Sequence, residues 1–385
     1  MKTKFTADFE TATWLEDETF VWAWAVCEIE NEENLTIGNN IDSFMEYCKG
    51  QKNSTFYFHN LKFDGEFILY WLLNNGFKHV EKREDIKNNT FTTLISDMGM
   101  FYQITVYFEK KNKKTHKVTF IDSLKIIPFS VEQIAKSFNL EISKLKIDYN
   151  KPRERNHILT EEERAYVTND VKIVAQALNV LFEENLTKMT QGSNALNDFK
   201  GMLSFSKFGH YFPLLTTKLI KTLDKVTNGG FTYLNPIYKE KEVENITNLD
   251  VNSLYPSVMR YCKLPFGEPI FYEGKYKEDN VYDLYIQMIT CSFKIKPNHI
   301  PTIQIKNSSS FRFNEYLETS ATIEDPNNEE CLVLTSIDLK LFLDHYDVKN
   351  LKYIAGWKFK SIRGIFDEYI DKWVERKNNA TLERK

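Results

Sequence analysis

The 385-residue sequence contains only five cysteines, and none stands in a Cys-x-x-Cys or Cys/His pattern. Scattered cysteines of this kind, several inside apolar stretches, predict reduced thiols in a cytoplasmic setting. An apolar run of membrane-spanning length is also missing, so we expect no membrane insertion. Charged residues follow Met1 directly, and this pattern does not predict a signal peptide.

An excess of positive charge is missing too, since the formal net charge is -4. This balance argues against a protein that coats nucleic acid nonspecifically, but it leaves room for an enzyme that acts on nucleic acid. Local patches can contact phosphates, such as residues 110–114 or the group Lys358, Lys360 and Arg363. The run at 110–114 also fits a solvated hairpin tip. With 42% apolar residues, the chain is long enough for two or three folded domains.

Four acidic residues in three separated motifs carry most of the information on function. Asp8 and Glu10 lie in DFET, Asp64 lies in HNLKFDGEF, and Asp170 lies in AYVTND. Asp8 and Glu10 are two apart in an extended stretch, so both carboxylates leave the same face of a strand. Carboxylates are the hard oxygen ligands that hold two Mg2+ or Mn2+ ions about 4 Å apart in phosphodiesterases. The pattern predicts a two-metal site.

A predicted helix supports this interpretation. Thr160 and Glu163 form a capping-box pattern at the start of a helix that runs through Leu178. Tyr166 and Asp170 then share a face of that helix, so the phenol can align an attacking water while the carboxylate holds a metal. Any one of the four acidic residues is also typical of a solvated helix face. Only their joint pattern indicates a metal site.

The pattern of strands and helices predicts an α/β (α+β) fold. Strands rich in aromatic and β-branched residues are predicted at 5–11, 20–27, 55–59, 91–96, 100–108 and 117–122. Helices alternate with them: one begins at Asp42 or Ser43 and ends at Gly50, and another runs from Asp64 to Gly76. A mixed sheet with helices packed on it fits a ribonuclease-H-like exonuclease domain.

Several motifs together resemble a known family. DFET, HNLKFDGEF, IDSLKIIPF, KLKIDY and YVTND, followed by DVNSLYP at 250–256, are similar to the protein-primed family B DNA polymerases of small tailed bacteriophages. In that family the N-terminal domain is a 3′-5′ proofreading exonuclease, and DVNSLYP is the first palm motif of nucleotide transfer. The resemblance covers nearly the whole chain.

The resemblance implies roles for individual residues of the exonuclease domain. Asp8, Glu10, Asp64 and Asp170 would bind two Mg2+ or Mn2+ ions, with Tyr166 positioning the water and Lys144 stabilising charge on the scissile phosphate. The residues that would bind the single-stranded 3′ end of DNA are His59, Asn60, Phe63, Phe67, Ser123, Leu124 and Phe129. For Leu124 and Phe129 taken alone, ordinary core packing is the favoured interpretation.

The resemblance also implies roles in the palm. Asp250 would bind the catalytic ions as a catalytic residue, the carbonyl of Val251 would contact one ion, and Tyr255 would pack under the sugar of the incoming dNTP. Gly229 and Gly230 in NGGF would approach primer-template DNA, as in the family's YxGG loop. Thr227 occupies the tyrosine position of that loop.

The expected organisation has five segments. The exonuclease domain covers 1–185, a helical bridge with the YxGG-like loop covers 186–240, and a partial palm covers 241–300. A first insertion, which contacts the terminal protein primer in the family, covers 301–358, and a truncated palm segment covers 359–385.

Two palm motifs of the family, KxxxNSxYG and DTDS, do not occur in the sequence, and no Asp-x-Asp replaces them. A single Asp250 cannot assemble two metals, so polymerisation is expected only with a C-terminal polymerase fragment. Three alternatives stay open: the N-terminal piece of a phage or prophage polymerase in a bacterial host cell, a stand-alone exonuclease on single-stranded DNA, and an inactive remnant that binds DNA or terminal protein.

Overall fold

The computed structural model describes residues 3–109, 115–226, 231, 233–304, 316–320 and 330–383. The chain divides into two compact units, Met1–Phe199 and Lys200–Lys385. All five cysteines are free thiols, as predicted, and three of them are buried. Among the described residues, no helix combines the length and apolar character needed to cross a membrane.

The first unit is built on a mixed eight-stranded sheet. Its strands are β1 (Lys4–Thr11), β2 (Val21–Glu28), β3 (Leu35–Gly38), β4 (Thr55–Phe58), β5 (Lys78–His79), β6 (Thr90–Ile95), β7 (Phe101–Glu109) and β8 (Thr115–Asp122). The spatial order is β3-β2-β1-β4-β8-β7-β6-β5. β4 is parallel to both β1 and β8, whereas β2 is antiparallel to β1. The six predicted strands agree with these bounds to within two residues.

Helices cover both faces of this sheet. They are α1 (Ile41–Gly50), α2 (Leu61–Asn74), α3 (Val131–Ser137) and α4 (Glu161–Glu183). The predicted start of α1 at Asp42 or Ser43 is wrong: the helix begins at Ile41 because the Asn40 side chain accepts a hydrogen bond from the Ser43 backbone N–H at 2.8 Å. The capping box predicted for α4 is confirmed, with Thr160 as the N-cap and Glu163 at the third helical position.

The alternation along β1 sorts its side chains between two cores. Phe5 and Phe9 join the core that includes α1 and α2 side chains, where aromatic rings pack at centroid distances near 5 Å. The core on the other face contains side chains of β2, α3 and α4. Thr6 faces that second side, since its hydroxyl donates to the Val171 carbonyl of α4 at 2.9 Å. A period of two therefore turns Asp8 and Glu10 toward α4.

The helices α5 (Gln191–Gly201), α6 (Phe205–Tyr211) and α7 (Thr217–Val226) follow α4 in the chain. The second unit contains an antiparallel sheet in the order β13-β10-β14-β9. Its strands are β9 (Leu264–Glu273), β10 (Leu284–Ile295), β13 (Glu330–Thr335) and β14 (Tyr346–Ile362), and a separate short pair joins β11 (Ile303–Gln304) and β12 (Tyr316–Leu317).

Three helices complete the second unit: α8 (Leu254–Tyr261), α9 (Ser336–His345) and α10 (Asp367–Glu383). α9 packs on the sheet through Leu339 and Phe342, which lie in one core with residues of β10. β14 runs without a break across residue 358, where the sequence predicted the end of an insertion. Residues 110–114, 227–230, 305–315 and 321–329, including Thr227, Gly229 and Gly230, lie outside the described residues.

Candidate metal centre

Three of the four predicted carboxylates meet at the interface of β1 and α4. Ligand oxygens of Asp8, Glu10 and Asp170 all lie within 4.8 Å of one another. Asp8 and Glu10 project from the same face of β1, and Asp170 projects from α4, which packs on that face. Glu10 and Asp170 are 7% and 3% exposed, so water screens their charges poorly.

Crowding of like charges changes the acidity of these groups. Burial, reinforced by the charge of Asp170, raises the pKa of Asp8 to about 7. Burial and the charge of Asp8 raise the pKa of Glu10 well above its usual range. Burial also raises the pKa of Asp170, although Lys144 acts against this shift. Such a cluster holds its carboxylates ionised together only when positive charge stands between them.

Asp64 lies in the first turn of α2 and is 3% exposed. It is outside the group of three, but the charges of Asp8 and Glu10 still act on it, and together with burial they raise its pKa well above the usual range. The Oδ1 atoms of Asp64 and of Asp170 are buried without a hydrogen-bond partner among the described residues. Buried carboxylate oxygens that lack a hydrogen-bond partner and lie beside other carboxylates fit the oxygen ligands that Mg2+ or Mn2+ requires.

Lys144 contributes the cation of the site. Its Nζ lies 2.5 Å from Asp170 Oδ2 and 5.5 Å from the centre of the Tyr166 ring. Burial acts to lower the pKa of Lys144, but the charge and hydrogen bond of Asp170 raise it above its ordinary value. Lys144 therefore stays protonated, and its ammonium group lies at the edge of the carboxylate cluster.

Tyr166 lies one helical turn before Asp170 and is 1% exposed. Its hydroxyl forms a hydrogen bond of 2.5 Å with the hydroxyl of Tyr149, a partner that the sequence analysis missed. Burial, together with the charge of Glu10, raises the pKa of Tyr166, so its phenol stays protonated. The signal for Tyr149 was its place in KLKIDY, five residues after Lys144.

The predicted DNA-binding residues form a hydrogen-bonded group between the end of β4 and the segment after β8. His59 Nδ1 lies 3.1 Å from Ser123 Oγ, and His59 Nε2 lies 2.6 Å from the Phe129 carbonyl oxygen. Burial lowers the pKa of His59. The Ser123 hydroxyl donates to the Phe58 carbonyl at 2.9 Å, so this residue is tied into the fold.

Asp122, which the sequence analysis also missed, organises the same group. Its Oδ1 accepts hydrogen bonds from the backbone N–H of Asn60 at 3.1 Å and of Leu124 at 3.0 Å. Asn60 has a φ of 88°, a left-handed conformation that asparagine tolerates better than most residues. The position of Asp122 at the end of β8 was the available signal for this residue. This carboxylate fixes two predicted DNA-binding residues relative to each other.

Aromatic side chains at this end of the first unit are partly or largely exposed to solvent. Phe63 is 49% exposed and Phe129 is 45% exposed, whereas Phe67 is partly buried. Phe63 and Phe67 contact each other one turn apart on α2, with ring centroids 5.7 Å apart. Exposed rings of this kind offer stacking surfaces for bases.

The predicted palm residues Asp250, Val251 and Tyr255 belong to the second unit. Asp250 and Val251 precede α8 in an exposed segment, and Tyr255 is 76% exposed in its first turn. Among the described residues, the metal-binding grouping of carboxylates does not include Asp250. The structure therefore brings together Asp8, Glu10 and Asp170 of the predicted exonuclease site, and it leaves Asp250, Val251 and Tyr255 exposed.

Residues 46–385 match the family model of "DNA polymerase type B, organellar and viral". The chain therefore belongs to the family B DNA polymerases, in the phi29-like, protein-primed group, and the resemblance seen in the motifs is confirmed. It is 45% identical over 370 residues to the DNA polymerase of Bacillus phage B103, covering 96% of this chain and 63% of that protein. To the DNA polymerase of Streptococcus phage Cp-1 it is 32% identical over 398 residues, covering 98% of this chain and 66% of that protein.

Solved structures agree with this assignment. The orthorhombic crystal form of phi29 DNA polymerase superposes with a TM-score of 0.89 and 42% identity, covering 98% of this chain and 65% of that one. A phi29 DNA polymerase complex with primer-template DNA and incoming nucleotide substrates matches with a TM-score of 0.85. The predicted mixed α/β fold is confirmed, and the chain spans about 64% of the length of Bacillus phage phi29 DNA polymerase.

Proposed function

We propose that the first unit is a ribonuclease-H-like 3′-5′ exonuclease domain that removes nucleotides from single-stranded DNA ends. The observation that supports this most directly is the meeting of Asp8, Glu10 and Asp170 within 4.8 Å at the junction of β1 and α4. The family membership supports it as well, because the motifs that carry these residues are those of the family's proofreading domain.

In this proposal Asp8, Glu10, Asp64 and Asp170 hold two Mg2+ or Mn2+ ions. When bound, such ions generate a nucleophile from water near neutral pH and stabilise the charge of the leaving oxygen. Two buried oxygens of this ligand set, Asp64 Oδ1 and Asp170 Oδ1, have no hydrogen-bond partner among the described residues. Positive charge at the centre would also relieve the repulsion that raises the pKa of Asp8.

The protein side chains carry the remaining tasks. The hydroxyl groups of Tyr166 and Tyr149 form a hydrogen bond with each other. Because each hydroxyl can donate and accept a hydrogen bond from a fixed position, the pair orients a water. Lys144, charged and next to Asp170, stabilises negative charge that develops on the scissile phosphate. Both functions depend on the segment between α3 and α4, which presents Lys144 and Tyr149 to the helix.

The same proposal gives the DNA 3′ end a binding surface. Phe63, Phe67 and Phe129 would provide apolar rings for bases, and His59, Asn60 and Leu124 would complete the surface. Ser123, which is fully buried, would hold His59 in place. Aromatic stacking is tolerant of sequence. This suits an enzyme that must accept whichever nucleotide stands at the end.

We also propose that Asp250, Val251 and Tyr255 serve metal and dNTP binding in nucleotide transfer, with Gly229 and Gly230 near primer-template DNA. In this proposal the terminal protein primer contacts 301–358, and transfer requires a C-terminal companion polypeptide. The solvent-exposed state of Asp250 to Tyr255 supports the need for further protein around them.

The test is digestion of a 5′-labelled single-stranded oligonucleotide by the 385-residue chain with Mg2+ or Mn2+. We expect progressive shortening from the 3′ end, and its loss in the double variant Asp8→Ala, Glu10→Ala. The control double variant Glu46→Ala, Glu132→Ala removes two carboxylates that are 65% and 63% exposed and should digest DNA normally. Continued digestion by the Asp8, Glu10 double variant would refute the assignment.

A parallel primer-extension assay separates the alternatives. Exonuclease activity without extension, followed by extension on addition of a polypeptide with the NSxYG and DTDS motifs, is the expected outcome. Activity that is unchanged by such a polypeptide would favour a stand-alone exonuclease. Absence of both activities and of saturable Mn2+ binding would favour a remnant that binds DNA or terminal protein.

A further inference from the structure

The segment 138–160 connects α3 to α4 without regular secondary structure, yet it carries two side chains of the candidate metal centre. Lys144 reaches Asp170, and Tyr149 reaches Tyr166. A segment without its own hydrogen-bond ladder holds such positions only if side chains fix its backbone. Asn169 of α4 donates to the Ser143 carbonyl at 2.9 Å, and the Thr13 hydroxyl donates to the Tyr149 carbonyl at 3.0 Å. The question is which group fixes the rest of the segment against α4.

Arg153 makes the contacts that this task requires. Its Nη1 donates to the carbonyl oxygens of Asp148 and Lys151, both at 2.9 Å. These two bonds fold residues 148–153 around one guanidinium group. The Asp148 carbonyl belongs to the peptide that leads directly into Tyr149, so Arg153 holds the backbone adjacent to the tyrosine that meets Tyr166.

The other side of the guanidinium is attached to α4. Arg153 Nε donates to Glu163 Oε1 at 2.9 Å, and both side chains are nearly fully buried. Glu163 Oε2 accepts from the Thr160 backbone N–H at 3.0 Å and lies 2.7 Å from His157 Nε2. Burial opposes ionisation, but these hydrogen bonds together lower the pKa of Glu163 to about 2. Glu163 therefore stays ionised and keeps its hold on Arg153.

The helix position of Glu163 relates this anchor to the site. Glu163 stands three residues before Tyr166 and seven before Asp170, so all three lie on one face of α4. The Trp22 ring of β2 lies 4.3 Å from the guanidinium carbon and covers its face. Arg153 and Glu163 thus connect the segment 138–160, helix α4 and strand β2 behind the carboxylate cluster.

We propose that Arg153 is a positioning residue, which fixes the segment 144–153 against α4 so that Lys144 and Tyr149 stand at the carboxylate cluster. This inference rests on the proposed exonuclease function for its kinetic consequence, while its structural consequence is independent of it. Arginine suits the role because its planar fork donates in several fixed directions at once, which lysine cannot do.

The test uses the full chain with Arg153→Lys, which keeps the positive charge next to Glu163 but removes the fork. The matched control is Arg155→Lys in the same segment, since Arg155 is 60% exposed and pairs with the exposed Glu18. Cleavage of the native chain by trypsin after Lys144 and Lys146 is measured first. We expect it to accelerate by about 10-fold or more in Arg153→Lys and to stay unchanged in Arg155→Lys.

The second measurement is steady-state digestion of single-stranded DNA with Mn2+, together with a Mn2+ titration by calorimetry. We expect kcat to fall by about 10- to 100-fold in Arg153→Lys because misplaced catalytic groups lose that much rate. The dissociation constant of Mn2+ should change by less than about 3-fold, since Arg153 is not a ligand. A role in general stability would not produce this separation of kcat from metal binding.

A double variant, Arg153→Gln with Glu163→Gln, addresses loss of folding, because it leaves no unpaired buried charge. Unchanged cleavage after Lys144 and Lys146 in a folded Arg153→Lys chain would overturn the inference, and so would failure of both variants to fold, since Arg153 would then serve the whole domain. If the wild-type chain digests no DNA, the exonuclease proposal fails, while the trypsin measurement still decides the role of Arg153.

Discussion

Divalent ions should determine how the stability of the first unit changes with pH. Burial and the charge of Asp170 raise the pKa of Asp8 to about 7, whereas an aspartate in an unfolded chain titrates near 3.8. The folded chain therefore holds this proton more tightly than the unfolded chain. The stabilisation from the protonated carboxyl is complete below pH 4 and is lost as the pH rises through about 7.

The size of this effect follows from the shift of the pKa. Three units correspond to about 4 kcal/mol for Asp8 alone. Glu10 and Asp64 shift in the same direction, so without metal the unit should lose stability between pH 4 and 8. A divalent ion opposes this loss because it binds the ionised form, and at a concentration 100-fold above its dissociation constant it restores about 2.7 kcal/mol.

The assay is thermal unfolding of the chain at pH 5, 6.5 and 8, with either Mn2+ or EDTA. At pH 8 we expect Mn2+ to raise the unfolding temperature of a unit of this size by about 5 to 10 °C. At pH 5 the shift should be much smaller because protons occupy the carboxylates. Asp8→Asn should lose most of the shift, and its EDTA form should be more stable than the wild-type EDTA form at pH 8.

The matched control is Asp97→Asn, since Asp97 is an exposed carboxylate outside the cluster. It should behave as the wild type at every pH. Two results would refute the reasoning: a Mn2+ shift as large at pH 5 as at pH 8, or an undiminished shift in Asp8→Asn. Either would mean that the ion binds elsewhere or that Asp8 is already ionised in the folded chain.

Three further substitutions test other parts of the structure. Gly356→Ala places a Cβ 2.1 Å from a backbone carbonyl oxygen. In chemical denaturation this clash should lower the stability of the second unit by about 3 kcal/mol or more. The control Gly50→Ala, which has open space around the added Cβ, should be nearly neutral. Phe63→Ala should weaken binding of single-stranded DNA by about 1 to 3 kcal/mol in fluorescence titrations, and Tyr70→Ala, on the same helix and 73% exposed, should not. Lys144→Met removes the positive charge that lowers the pKa of Asp170, so the pH profile of DNA digestion should move to higher pH. A pH profile that does not move would contradict this.

The sequence predicted those features that depend on local pattern. Alternating aromatic and β-branched residues located the strands of the first sheet, and the Thr160 and Glu163 pair located the start of α4, because each signal lies within a few residues. The start of α1 was misplaced since Asp42, Ser43 and Asn40 all have capping side chains, and only the folded backbone selects Asn40.

Features that depend on tertiary contacts were less accessible. Tyr149 and Arg153 lie in a segment with no periodicity, and their roles follow from partners on α4 that come later in the chain. Asp122 looked like the end of a strand until the structure brought Asn60 next to it. The spacing of Asp8 and Glu10 was enough to predict their shared face, but the approach of Asp170 required the packing of α4 on β1.

The 17-residue strand β14 limits how the second unit can be re-engineered. It lies between β10 and β9 in the sheet, and Gly356 sits against the β10 carbonyl of Ile286. Excision or exchange of the stretch that ends at residue 358 would cut this strand before its last four residues and expose two neighbouring strand edges. Chimeras between phage polymerases should therefore be joined outside residues 346–362.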